Sequence, residues 1–232
     1  VIERHEGTPQ GGPLSPLMAN VLLDEVDKEL EKRGHAFCRY ADDSNVYVRS
    51  QRAGEDVMAT LRKLFGRLRL KVNEAKSAVG RPWDRKFLGF TFEVTKRGKV
   101  KRCVAPKALE KMKDRIREIT DRNGGRSMEQ VVADLRRYLL GWKAYFGFTE
   151  VRTILGELDA WIRRRLRILK LKQWKRGTTV FKKLRRRGAA APLAAKVAKY
   201  SRRYAYVSKM PAIFIALPDK IFDAMGVPRL AR

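Results

Sequence analysis

The 232-residue chain has little cysteine and little histidine: Cys38, Cys103, His5 and His35 are all there is. Without Cys/His clusters at ligand spacing, a zinc finger or a zinc nuclease centre is excluded. Two cysteines in expected strands fit a reducing compartment. Acidic residues are also scarce, 25 Asp and Glu against 53 Lys and Arg. No apolar run approaches the roughly 20 residues that a membrane-spanning helix needs. No signal peptide is visible, and no internal repeat or low-complexity segment stands out apart from Ala189-Ala190-Ala191, which reads as a linker. The chain opens on Val1-Ile2-Glu3-Arg4 without Met and meets a dense motif almost at once, which predicts the downstream part of a longer protein.

What is present is charge on a foldable background. Hydrophobic residues make up 44% and aromatics 9% of the chain, and the formal net charge is +28. The length suits one large domain or two small ones with a real core. A cationic excess this large exceeds what solubility needs and points to a polyanionic partner. Nucleic acid is the commonest such partner; a membrane surface is the rival.

Phe37-Cys38-Arg39-Tyr40-Ala41-Asp42-Asp43-Ser44-Asn45-Val46-Tyr47-Val48 sets two adjacent carboxylates between short aromatic and β-branched runs. The pattern predicts a hairpin with Asp-Asp at its turn. Hard divalent cations prefer carboxylate oxygen, so a pair of Mg²⁺ ions fits such a tip. A solvated turn accounts for the same residues, since Asp is a common turn former.

Upstream, Gly7-Thr8-Pro9-Gln10-Gly11-Gly12-Pro13-Leu14 forbids regular structure and lets backbone approach a ligand. Ser15 as N-cap and Pro16 at the first helical position then start a helix. Leu17, Val21, Leu22, Val26 and Leu30 would line its buried face, and Gly34 would end it. After the hairpin, Gly54 to Leu70 reads as an amphipathic helix and Leu70 to Ser77 as a short strand and turn. A second hairpin pairs Lys86–Val94 with Val100–Val104. The expected fold class is α+β, with antiparallel hairpins and helices to about residue 105 and an all-α remainder.

Helices are predicted from Pro106 to about Arg122, Ser127 to Phe146 and Glu150 to about Trp174, with a short one near Pro218 to Gly226. Ser127 and Gln130 form a capping box; Thr149 would cap the third helix. Val131, Leu135, Tyr138, Leu139, Trp142, Tyr145 and Phe146 form an aromatic stripe for a bundle core, with rings left over for nucleic acid. Between Trp161 and Pro218 there is no Asp or Glu but there are eighteen Lys or Arg, thirteen of them from Arg163 to Arg187. A solvated face interleaves both signs, so this stripe is expected to bind phosphates through Arg163, Arg164, Arg167, Lys170, Lys172, Lys175, Arg176, Lys182, Lys183 and Arg186. Trp174, Tyr200, Tyr204 and Tyr206 offer stacking surfaces beside it.

These blocks, in this order, resemble the group II intron-encoded reverse transcriptases, or maturases. Pro9-Gln10-Gly11-Gly12 with Ser15-Pro16-Leu17 is similar to the fourth reverse-transcriptase block and Tyr40-Ala41-Asp42-Asp43 to the catalytic fifth. Leu70–Ser77, with Asn73, Glu74 and Lys76, is similar to the sixth block, and Phe87-Leu88-Gly89-Phe90 to the seventh. Leu135–Phe146, with Gly141-Trp142, resembles the signature of the maturase thumb, domain X, and the basic residues beyond it the family's DNA-binding region. The resemblance implies a partial reverse-transcriptase palm (1–105), a thumb helical bundle (106–176) and a basic nucleic-acid-binding tail (177–232).

It also implies two-metal nucleotidyl transfer with Asp42 and Asp43 as catalytic Mg²⁺ ligands. One further ligand, an Asp of the third block, would lie upstream of Val1, so this chain alone is expected to be inactive. Gln10, Gly11, Tyr40, Lys76, Leu88 and Gly89 would contact nucleotide or primer. For Lys76 a solvated lysine, for Tyr40 a packed ring and for Leu88 core packing explain the same residues. The implied partners are group II intron RNA, a DNA target or primer and deoxynucleotides, without a membrane, in a bacterial cytoplasmic ribonucleoprotein; the oligomeric state is left open. The alternative is an RNA-binding splicing maturase with an inactive or incomplete polymerase. Gly141-Trp142 counts against a reverse transcriptase of another lineage.

Overall fold

The computed structural model describes residues 14–231. The Gln10 and Gly11 expectations therefore lie outside the described residues. The chain divides into two compact units, one ending at Leu88 and the other comprising residues 89–232.

The first unit begins with α1 (Ser15–Lys32), whose Pro16 sits in the first turn as expected, although Leu14 rather than Ser15 is the N-cap residue. Gly34 ends the helix at φ +70. The Gly34 amide donates to the Glu31 carbonyl and the His35 amide to that of Leu30, a double closure that needs a left-handed residue and so favours glycine. Strands β1 (Ala36–Tyr40) and β2 (Asp43–Tyr47) pair antiparallel, with Tyr40 opposite Asp43 and Phe37 opposite Val46. Helix α2 (Gln51–Arg67) follows, capped by the Ser50 side chain, which accepts from the Ala53 amide.

Leu23, Val26 and Leu30 of α1 are buried with Val57 and Leu64 of α2, and Phe37 and Val46 pack against them. Leu17, Val21 and Leu22 are exposed instead: burial follows Leu23, Val26 and Leu30, so the early turns of α1 lie off the α2 contact. Residues 70–77 form no strand. The amides of Lys76 and Ser77 both donate to the Asn73 carbonyl as a turn, and Arg62 of α2 holds Glu74 through two hydrogen bonds of 2.8 and 2.7 Å.

In the second unit β3 (Phe90–Val94) and β4 (Val100–Val104) form another antiparallel hairpin. Helices α3 (Pro106–Ile119), α4 (Met128–Phe146) and α5 (Arg152–Trp174) follow. Then come α6 (Gly177–Arg186), α7 (Ala191–Lys199), α8 (Tyr204–Val207), α9 (Pro211–Ala216) and α10 (Asp219–Ala224). The capping box of Ser127 and Gln130 is present at the start of α4. A single core runs from Val104 and Met112 through Val131, Leu135, Leu139, Ile162 and Leu166 to Phe222 and Leu230.

The hairpin β3–β4 belongs to this helical unit by its packing. The Phe90 ring lies 5.2 Å from Phe146, which in turn lies 4.8 Å from Trp142. The Arg102 amide donates to the Glu150 carboxylate (2.7 Å), and the Arg102 guanidinium donates to the Phe148 carbonyl. Thr149 is no helix cap: its hydroxyl donates to the Arg102 carbonyl, tying the segment before α5 to β4. The Ala189–Ala191 stretch is a tight joint rather than a loose linker, with Ala189 fully buried and Ala191 already inside α7.

Candidate metal hairpin and nucleic-acid surface

The β1–β2 register puts Ala41 and Asp42 in the two-residue turn and Asp43 at the first paired position. Ala41 takes φ 53, a left-handed backbone that costs a non-glycine residue about 1–2 kcal/mol. Side chains alternate along a strand and match across a pair. Phe37 and Arg39, with Val46 and Ser44 opposite, share the face that meets the core. Tyr40 and Asp43 share the other. The turn thus carries the chain between Asp42 and Asp43 through a change of backbone direction, so the two carboxylates are not on opposite faces of a regular strand.

Both aspartates are exposed, and neither carboxylate has a cation partner among the described residues. Four other acids of the unit are paired: Asp24 with Lys28, Asp27 with Arg39, Glu29 with Arg33 and Glu74 with Arg62. No cluster of three metal-ligating side chains stands among the described residues. A pair of free carboxylates nevertheless fits Mg²⁺, which keeps several waters and is commonly held by one or two carboxylates together with substrate phosphates. Tyr40 is 64% exposed, so it is not a packed ring. Lys76 is exposed on the 73–77 turn.

Leu88 and Gly89 lie at the joint of the two units, at φ 51 and 78. A Cβ on Gly89 would come within 3.1 Å of the Phe146 ring. The close approach that this glycine permits is therefore to Phe146 of its own unit.

The basic stripe of the second unit divides in two. Arg163 and Arg167 are buried, at 0% and 3% exposure, and are removed from the nucleic-acid surface. Arg163 donates to Asp159 at 3.2 Å, to Asp223 at 2.7 Å and to the Pro228 carbonyl. Arg167 is bound to Asp219 and to the Leu217 carbonyl. Asp159 also accepts from the amides of Leu230 and Ala231. Burial pushes the Asp223 carboxyl up, but hydrogen bonds from Arg229 and Arg163 outweigh it and hold the group below its ordinary range. These acids flank the acid-free segment in sequence and reach its arginines only through the fold.

Arg164 is half-buried, donating to Ser208 and the Ala205 carbonyl; Lys170 is half-buried as well. Lys172, Lys175, Arg176, Lys182, Lys183 and Arg186 are exposed as expected. On α6, Val180 and Leu184 face the core while Lys182, Lys183, Arg185 and Arg186 face water. Trp174 is buried at 7% and serves the core, whereas Tyr206 is 55% exposed. With Leu193, Lys196 and Lys209, Tyr206 lines a groove of about 310 Å³. Arg185, Lys196 and Lys209 extend the cationic surface beyond the residues picked out from sequence; the absence of acids in the same window was the signal for them.

Two family models match this chain. The reverse transcriptase (RNA-dependent DNA polymerase) model covers residues 1–92, and the group II intron, maturase-specific domain model covers residues 109–188. In that order they describe a template-copying polymerase joined to an intron-maturation domain. The chain belongs to the group II intron reverse transcriptase–maturases. No curated protein matches the sequence. Among the described residues no helix is long and apolar enough to cross a membrane.

Proposed function

We propose that this chain supplies Asp42 and Asp43 to a two-metal nucleotidyl-transfer centre that copies RNA into DNA for intron mobility. We infer that its helical unit binds intron RNA and target DNA through an exposed cationic surface. The observation that supports the first part is the pair of free, adjacent carboxylates on the β1–β2 turn, in a protein with 53 cationic side chains and in a unit where four other acids each hold a lysine or arginine. Adjacent anions repel by roughly 1 kcal/mol at 4 Å in water; leaving them unpaired favours capture of a divalent cation.

Bound Mg²⁺ would lower the pKa of a primer 3′-hydroxyl and neutralise charge on the departing pyrophosphate. Asp42, in the turn, and Asp43, at the strand start, hold the ions. Tyr40, on the same face as Asp43, offers an exposed ring to the sugar or base of the primer end. Lys76 adds positive charge for nucleotide phosphates. Lys172, Lys175, Arg176, Lys182, Lys183 and Arg186 hold nucleic-acid backbone, whose affinity comes from released counterions.

Two carboxylates are this chain's contribution, and polymerisation needs a further ligand. Purified 1–232 with Mg²⁺ is therefore expected not to extend a primer, while it binds intron RNA. In a longer, primer-extending protein containing this chain, Asp42→Ala should lower extension roughly a thousandfold, the several kcal/mol that metal charge stabilisation supplies. RNA affinity should stay nearly unchanged. Extension by 1–232 would overturn the need for a further ligand, and extension by the Asp42→Ala protein at its full rate would overturn the metal assignment.

A further inference from the structure

Among the described residues, one side chain holds the turn that carries Asp42 from behind. Arg39, the third residue before Asp42, sits on the core-facing side of β1 with its side chain 15% exposed, and its guanidinium meets three groups. Its Nε and Nη2 donate to the two carboxylate oxygens of Asp27 on α1, at 2.9 and 2.5 Å. Its Nη1 donates to Asn20 Oδ1 at 2.9 Å, two helical turns before Asp27, and to the carbonyl of Ala41 at 3.1 Å. Ala41 is the residue in the left-handed conformation, and its carbonyl belongs to the peptide that leads into Asp42.

A guanidinium fork is planar, so fixing one edge on Asp27 fixes the direction of the remaining N–H groups. The Asn20 and Asp27 anchors lie on one face of α1, a rigid element with a buried hydrophobic side. Arg39 therefore transfers the position of α1 to the Ala41–Asp42 peptide and holds a turn whose backbone is not the one alanine prefers. Side chains that orient a ligand from one bond away commonly change metal affinity 10–100-fold when removed.

We propose that Arg39 is a positioning residue for the Asp42–Asp43 metal site, with Asp27 and Asn20 as its anchors on α1. The inference rests on the reading of Asp42 and Asp43 as metal ligands. Electrostatics gives it a diagnostic sign. Arg39 is a cation close to the site, so removing it should tighten cation binding if its charge were all that mattered. Positioning predicts the opposite.

The test is Mn²⁺ binding to the 1–232 chain, read from the free-ion electron paramagnetic resonance signal, with circular dichroism and melting temperature as the check on folding. Asp42→Asn with Asp43→Asn in one chain defines the site and should remove the Mn²⁺ class that the parent chain shows. Arg39→Ala should weaken that class about tenfold. Arg39→Lys keeps the charge opposite Asp27 but cannot span Asp27 and Ala41 together, and should weaken it severalfold. Asn20→Ala, at an exposed helix position, should weaken it by a smaller factor without touching the core. If Arg39→Ala does not fold, Arg39→Lys and Asn20→Ala carry the test.

Mn²⁺ affinity that is unchanged or tighter in the folded Arg39 and Asn20 variants, while the double aspartate variant loses it, would overturn the positioning role and leave the metal reading standing. Equal Mn²⁺ binding by the parent and the double aspartate variant would instead overturn the metal reading, and this inference with it.

Discussion

The unit that ends at Leu88 builds its core from a few buried residues of α1 and α2, whereas the unit from Gly89 onward runs one core through most of its helices. Their charged groups differ in the same direction. In the first, a pair of anions is left free at an exposed turn, and one arginine fork sets the turn's backbone. In the second, Arg163 and Arg167 are sealed inside, and exposed cations stand on the end of α5 and on α6. Where burial is shallow, a carboxylate can stay exposed and available to a metal. Where it is deep, an arginine must find acids and carbonyls inside, because an unpaired buried charge costs several kcal/mol. A high count of one residue type therefore says little about how many of them face a ligand.

The contrast is broken most strongly at Arg163. Arg163→Ala leaves Asp159 buried beside its remaining amide donors, and should cost about 3–5 kcal/mol. In a unit of this size that lowers the melting temperature by roughly 10 °C, measurable by thermal denaturation followed by circular dichroism. The salt dependence of RNA binding by the folded fraction should not change, since the side chain touches no solvent.

The opposite result is expected on α6. Lys182→Ala, Lys183→Ala and Arg186→Ala combined should leave the melting temperature nearly unchanged. RNA affinity should fall by roughly one to two orders of magnitude at moderate salt, and the slope of log K against log salt should flatten by about two to three. Filter-binding titrations over a salt series read both. An unchanged slope would remove α6 from the binding surface.

The smallest effect lies on the acid side. Asp223 is held below its ordinary value of 3.8 by Arg229 and Arg163. Its contribution is complete above that ordinary value and is lost as pH falls through the lower folded value. Urea unfolding of the helical unit should therefore weaken below about pH 4. Asp223→Asn should flatten that part of the profile and lower stability at neutral pH.

Much of the local structure was legible from the residues. The Asp-Asp hairpin, the Ser127–Gln130 capping box, the Gly34 helix end and the long helix to Trp174 follow from turn, cap and periodicity rules that act over a few residues. The cap expected of Thr149 and the strand expected before the 73–77 turn do not form, because both places are fixed from elsewhere, Thr149 by the carbonyl of Arg102 and Glu74 by Arg62. Leu17 and Val21 have the spacing of a buried face, but a helix with apolar residues on more than one side does not reveal which side its neighbours cover.

The sequence alone determined the family, the order of its blocks, the place of the carboxylate pair and the cationic excess, since each is a matter of residue type and short-range spacing. Only the tertiary structure decided which cations remain for a partner. Arg163 meets Asp223 and Arg167 meets Asp219 across more than fifty intervening residues each, a pairing no local rule encodes. It likewise placed Arg39 between Asp27 and the Ala41 carbonyl, because only packing of β1 on α1 brings a helix carboxylate, a strand guanidinium and a turn peptide within hydrogen-bonding distance.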